Sequence, residues 1–530
     1  MQSLAQRAGA PLFEGMGSYH MPITTADPDA QRYFDQGMVL AFGFNHAESI
    51  RSFRAAQTLD PSCAMCFWGE ALATGPNINV TSNGKAIMAP AERASARAAI
   101  DQALALMDGV KAKEQDWIRA LDQRYDGEAD TPREPLDRAW ANALADMASR
   151  YPDDTTVASV YAEALMNTMP WDYWGPDGEA KPDTQAVIAS LEAVMDADPD
   201  HPLALHLYIH ALEASSNAAK AEPAADRLAN LVPGSGHLVH MPSHIYFRVG
   251  RYQESALANI RAAEVDEAYI AQCNAQGFYP ALYYPHNIHF LWASATMQGQ
   301  SALSLDSARR VVANVRVEQV EQFPTIQFFR TVPMLSLVRF ARWEEILEEP
   351  EPYEPFVFAR AIWHYGRGVA HAALGDAEAA RIELGAIEGL EPEVDEIFMG
   401  NVYPARDLLE IAKSLLRGEM AYRSGDAANA VLAFEEAVSL QDALPYTEPP
   451  FWYYPTRQSL GAALLASNRL AEAQAVFEED LEQYPMNGWS MFGLAEALRR
   501  QGDEMGAEKM TARFETVWQF ADVSLATSIL

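Results

Sequence analysis

"AANAVLAFEEAVSL", residues 427–440, decides the fold. Ala430, Phe434 and Ala437 fall three or four positions apart, the spacing that places side chains on one face of a helix. Gly418 stands twelve residues before Ala430, and Gly461, Ala473, Phe477 and Pro485 repeat the arrangement. "NGWSMFGLAEAL" follows with Trp489 and Gly493, four apart. Gly37, Ser49, Phe53, Ala56 and Pro61 carry the same offsets near the N-terminus. Glycine and alanine let two helices approach, the aromatic fills the gap, and proline ends the second helix. The repeated unit is a pair of antiparallel helices.

These residues and offsets resemble the tetratricopeptide repeat, a helical hairpin of about 34 residues. Fainter copies begin near Pro202, Gly236, Pro285, Gln327 and Ala361. The clearest repeats span 30–63, 202–235, 236–270, 285–318, 361–394, 411–444, 454–487 and 486–519. Residues 90–200 read as helical by periodicity without a clear repeat register. "WDYWGPDGEAKPDT" (171–184) reads as a loop over one face. The expected fold is all-α: residues 30–530 form one tetratricopeptide-like α-solenoid with a histidine-lined concave groove, and residues 1–29 pack against it.

Thirty-nine Lys and Arg against 73 Asp and Glu give a net charge of −34, a surface that repels nucleic-acid backbones and argues against nucleic acid as a partner. No apolar run is long enough to span a bilayer. The N-terminal "MQSLAQRAGAPLFEGMGSYHMP" lacks the layout of a signal peptide, as expected of a cytoplasmic protein or of a mature exported form. Of three cysteines, Cys63 and Cys66 form a C-x-x-C without a following histidine or a second such pair. They read foremost as helix-packing residues, with a redox or metal role as the alternative.

"GHLVHMPSHIY" (236–246) concentrates three of the chain's twelve histidines in eight positions. In tetratricopeptide repeats, positions 2, 5, 9 and 12 of the first helix face the groove; the resemblance therefore implies an orientation for each. With Gly250 at position 15, His237, His240 and His244 fall at 2, 5 and 9. The preceding repeat puts His206 at 5, His210 at 9 and Glu213 at 12; the following one puts His286 at 2 and His289 at 5. Independently of the family, residues three and four apart share a helix face, close enough for two imidazoles to bind one cation.

Two readings follow. The first is a metal centre of His206, His210, His237, His240, His244, His286 and His289, with His20 of the extension as an extra ligand. Glu213 then serves as ligand, outer partner or general base, and Tyr246 as a nearby redox or proton-donor group. The second is a groove that grips a peptide or protein partner through hydrogen-bonding histidines. His46, His364 and His371 fall at packing positions, His201 at an inter-repeat turn, and Met241 away from the groove. An imidazole-rich set suits copper, zinc or iron, copper favoured. Too few carboxylates are present for a di-iron bundle site, and H-E-x-x-H is absent. No G-x-S-x-G, Walker or dinucleotide motif occurs. The aromatic run "EPPFWYYPTRQSLG" (448–461) and "GPNINV" (75–80) are candidates for the substrate end of the groove.

The segments "FDQGMVLAFGFNHAESIRSFRAAQTLDPSCAMCFWGEALATGPNIN", "GHLVHMPSHIYFRVGRY", "YYPHNIHF" and "FWYYPTRQSLGAALL" resemble a broad group of bacterial tetratricopeptide-repeat proteins. Members are often exported, so the resemblance implies a periplasmic mature form. The expectation is a metal-dependent protein, an oxidoreductase foremost, acting on a small molecule or peptide in the groove. A zinc-dependent hydrolase and a non-enzymatic adaptor are the alternatives.

Overall fold

The hairpins close on glycine–phenylalanine contacts. In the computed structural model, a Cβ on Gly37 would stand 2.7 Å from the Phe53 ring, and Gly69 of the following helix presses on the other face of that ring. Gly418 meets Phe434 in the same way, and Gly461 and Gly493 flank Phe477. Each phenylalanine is buried, and Phe53 and Phe477 each meet glycines of both neighbouring helices. Larger residues at these glycines would force the helices apart.

The structure describes residues 3–82, 85–175, 178–273, 275, 279–322, 324–398 and 403–530. Among them the chain is all-α, a tetratricopeptide-like succession of helical hairpins; the exceptions are loops, a two-stranded hairpin pairing Thr81 with Ala86 and Ser82 with Lys85, and one isolated bridge, Trp174 to Ala180. No described helix is long and apolar enough to cross a membrane. Residues 176 and 177 of the 171–184 loop lie outside the described residues.

Cα packing groups the chain into two compact units, a division that falls inside the span 30–530. The first comprises residues 1–245 and 261–279, the second 246–260 and 280–530.

In the first unit the N-terminal extension is tied to its neighbours by main-chain bonds. Tyr33 donates to the Ala10 carbonyl (2.6 Å), Gln36 accepts from the Phe13 N–H (2.7 Å), and the Gly234 N–H donates to the Gly15 carbonyl (2.8 Å). Tyr19 packs edge-on against Phe42 and His201. Cys63 and Cys66 form a disulfide at the start of the Ala64–Thr74 helix, with both residues fully buried. They are bonded to each other, where the sequence reading favoured separate packing residues.

The second unit holds the most regular hairpins. Their turns place Gly250, Gly299, Ala341, Gly375, Gly425, Asn468 and Gly502 in the left-handed region. The next residue's N–H reaches the carbonyl five positions back, as in Arg469 to Leu464 and Asp503 to Leu498. This is the Schellman closure of a helix, which favours glycine because a Cβ is strained there. Phe44 of the first unit adopts the same turn with φ 56°, and the Asn45 N–H donates to the Leu40 carbonyl. The left-handed residue is fifteenth in repeats starting at 30, 236, 285, 327, 361, 411 and 454. The last hairpin differs: its helix starts at Gly488 and turns at Gly502, two residues later than the 486 start read from the sequence.

Candidate metal centre

The first unit gathers five histidines and a glutamate from two chain segments. The Pro202–Glu213 helix is buried along its whole length. His201 starts it, its Nδ1 accepting the Ala204 N–H at 3.3 Å, so this histidine is a cap. The second segment begins at Gly236, which leaves no room for a Cβ against the Asp266 carboxylate. Asp266 accepts from the Tyr279 hydroxyl (2.9 Å), which in turn accepts the His237 N–H (3.1 Å) and fixes the helix start. Pro242 has no N–H, so the chain forms two short helices, Gly236–His240 and Pro242–Arg248. His237, His240 and His244 keep a common face across that break, whereas the sequence suggested one unbroken helix.

Hydrogen bonds assign the ring nitrogens. Carbonyl and carboxylate oxygens only accept, so an imidazole nitrogen bonded to one must carry the proton. His206 Nδ1–H donates to the Phe42 carbonyl at 2.6 Å. His210 Nδ1–H donates to Glu213 Oε1 at 2.5 Å, and His244 Nδ1–H to Glu213 Oε2 at 2.6 Å. In each of these rings Nε2 is left as the remaining nitrogen of the imidazole, on the side away from that oxygen. His206 Nε2 accepts from His237 Nε2–H at 3.2 Å, and His244 Nε2 accepts from His240 Nε2–H at 2.8 Å. His210 Nε2 is buried without a hydrogen-bond partner. One nitrogen from each of His206, His210 and His237 lies within 4.8 Å of the other two. Metal–imidazole bonds of about 2 Å require a tighter triangle than that limit.

Burial sets the charge state. The five rings are at most 3% exposed, so the face expected to be an open groove is closed at this level. Burial pushes the His206, His210 and His237 pKa values down, and neighbouring imidazoles push those of His206 and His237 further. These rings are neutral at neutral pH, as metal ligands must be. Burial alone would raise the Glu213 carboxyl, but His244 and His210 outweigh it and hold the group well below the usual carboxylate range. Glu213 is thus an ionised carboxylate that orients two imidazoles, a pairing also used behind metal-bound histidines.

Two aromatics that the sequence did not single out complete the enclosure. Phe44 lies over His206 (4.6 Å between ring centres) and stacks on His237 (5.3 Å) and His210 (6.0 Å). The signal was available: an aromatic stands where five of the other hairpins turn on glycine. Trp171 meets His210 edge-on at 5.2 Å. Its indole N–H donates to Asn79 Oδ1 at 3.0 Å, which brings "GPNINV" beside the cluster.

His20 bonds Asp35 at 2.8 Å with its side chain 55% exposed. Tyr246, His286 and His289 belong to the second unit. The Arg251 guanidinium covers the Tyr246 ring at 4.2 Å. His286 is edge-on to Phe290. His289 stacks on Trp292 between Phe328 and Phe329, and burial pushes its pKa down to about 3. Among the described residues no three-residue metal-ligand group includes His20 or His289. His46 is half-buried beside Asn77 and Met241 is core, as expected. His364 and His371 sit partly exposed around Glu383 rather than in the interior.

No family model and no curated protein matches the chain. Solved structures with a related layout include human IFIT1 bound to PPP-AAAA, at 13% identity and TM-score 0.33 over 93% of this chain and 91% of that one. The Cut9–Hcn1 hetero-tetramer of the APC/C matches at 13% and 0.29, over 92% and 76%. Yeast Tom70 matches at 12% and 0.28, over 93% and 92%.

Proposed function

We propose that this helical-repeat protein binds a transition-metal ion through His206, His210 and His237 of its first unit, with His240 and His244 adjoining. The observation that carries the reading is the shared commitment of Nδ1–H in His206, His210 and His244 to oxygen acceptors, which leaves each Nε2 an acceptor within a buried cluster, that of His210 without a donor. The His210 lone pair is costly without a ligand, because it is buried in a medium of low polarity with no donor to satisfy it. Nitrogen donors favour copper over zinc and iron in the usual affinity order. A bound copper ion would supply one-electron chemistry, which supports an oxidoreductase; zinc would supply a Lewis acid. The chain's part is to orient the imidazoles through Glu213 and the Phe42 carbonyl, and to exclude water with Phe44. The Cys63–Cys66 disulfide suits an oxidising compartment and supports a periplasmic location.

Metal titration of protein purified without a nickel column tests this. Uptake of copper or zinc, abolished in His206→Ala/His210→Ala while helical content persists, supports the centre. A wild-type protein that takes up neither ion refutes it.

A protein-binding scaffold is the second reading. It is favoured by the repeat fold and by a cavity of about 440 Å³ in the second unit, which the run "EPPFWYYPTRQSLG" lines through Phe451, Trp452 and Arg457, with Tyr446 and Tyr484. Peptide-array binding that survives chelation and disappears in Trp452→Ala would favour it. Binding unchanged in that variant would count against it.

A further inference from the structure

Trp171 joins the buried cluster to solvent in a single side chain. Phe44 and Tyr173 are 3% and 2% exposed, whereas Trp171 is 41% exposed while its ring edge meets His210. His210 is also the imidazole whose Nε2 is buried without a hydrogen-bond partner. The Trp171 backbone is left-handed, φ 62°, a conformation that aromatic residues rarely adopt. Strain of this kind concentrates at ligand clamps and active sites.

The segments on both sides of Trp171 are anchored. The Thr168 N–H donates to the Leu165 carbonyl at 3.0 Å, and the Trp174 indole donates to the Ala211 carbonyl at 2.9 Å. The Thr184 hydroxyl and the Lys181 N–H both donate to the Tyr173 carbonyl, at 2.6 and 3.0 Å. By contrast, the Trp171 indole is tethered by its bond to Asn79, from the loop after the Ala64–Thr74 helix. On that fixed backbone the indole N–H is held by Asn79, and the ring meets His210 edge-on and Tyr173 at a tilt. Resting on the metal reading above, we infer that Trp171 is the access residue of the centre: ions and small ligands reach His210 past its indole, and Asn79 latches it shut. Trp171 is a positioning residue and makes no bond to the ion.

The test is metal exchange from copper-loaded full-length protein to a chromophoric chelator, followed by stopped flow. Trp171→Gly removes the ring and takes the left-handed turn without strain. Asn79→Ala leaves Trp171 in place but unlatched, and covers the case in which the glycine variant misfolds. Both variants should bind copper at the wild-type stoichiometry and exchange it about tenfold faster, the scale of one lost aromatic contact. The quenching of tryptophan emission by copper should shrink in Trp171→Phe, since Trp171 touches a ligand ring. Wild-type protein that binds copper, with both variants exchanging at its rate, overturns the access role alone. Wild-type protein that binds no ion overturns the metal centre and the access role together.

Discussion

Glu213→Gln separates an outer-shell carboxylate from an ordinary buried ion pair. The carboxylate is fully buried and accepts one Nδ1–H on each oxygen, from His210 and His244. Glutamine keeps the shape but offers one acceptor and one donor group. One imidazole must then turn over its tautomer, accept from the new NH2 at Nδ1 and carry its proton on Nε2. A protonated Nε2 cannot bind metal. The other imidazole keeps its lone pair but loses the negative charge that makes it a stronger ligand. Outer-shell substitutions of this type cost about 10- to 100-fold in metal affinity, or about 1.4 to 2.7 kcal/mol. Competition with a chromophoric chelator measures the affinity, and near-ultraviolet circular dichroism checks the packing. A folded Glu213→Gln protein with wild-type affinity would refute the assigned tautomers, and with them the argument for unprotonated Nε2 donors.

Phe44→Gly removes the ring over three imidazoles and relieves the left-handed turn; core phenylalanine loss of about 3–5 kcal/mol, offset by about 1 kcal/mol of strain, predicts a net loss of about 2–4 kcal/mol in urea unfolding. A variant as stable as wild type would show that the ring contributes no packing. Gly461→Ala drives a Cβ into Phe477, and overpacking should destabilise by about 1–3 kcal/mol, recovered in part by Phe477→Leu; the double mutant being worse than additive would contradict this. Acid should weaken the fold early. Buried His289 has its pKa pushed down to about 3, and His46 and His201 to about 4, while the unfolded rings titrate near 6.5. The unfolded chain therefore binds more protons in this window, and stability falls as pH drops from about 6.5, by about 3 kcal/mol at pH 4 from His289 alone. His289→Phe should flatten the urea-measured slope between pH 6.5 and 4, and an unchanged slope would rule out that cause.

The hairpin fold was legible because its contacts are local and stereotyped. Gly418 with Phe434, and Gly461 with Phe477, announce a close helix crossing by spacing alone. The approach of His206 and His210 to His237 was legible through the same register. Burial of the cluster was not, since it depends on a turn residue, Phe44, and a loop residue, Trp171, whose rings arrive from distant parts of the chain. The fates of Tyr246 and His289 were hidden for a related reason. A position on a helix face does not say whether a guanidinium or an aromatic cage will claim the ring first. Glu213 carried a legible location, while its role required knowing that both oxygens are already taken by imidazole N–H groups. The disulfide also lay beyond spacing, because C-x-x-C at a helix start serves packing, metal binding and bonding equally.

Elemental analysis of the intact protein, purified without a nickel column and dialysed against copper and zinc in turn, tests the central claim most directly. The histidine centre predicts about one tightly held ion per chain, lost with the His206→Ala/His210→Ala pair, since a preformed set of neutral imidazoles binds without refolding. A folded wild-type chain that emerges free of both metals would contradict it.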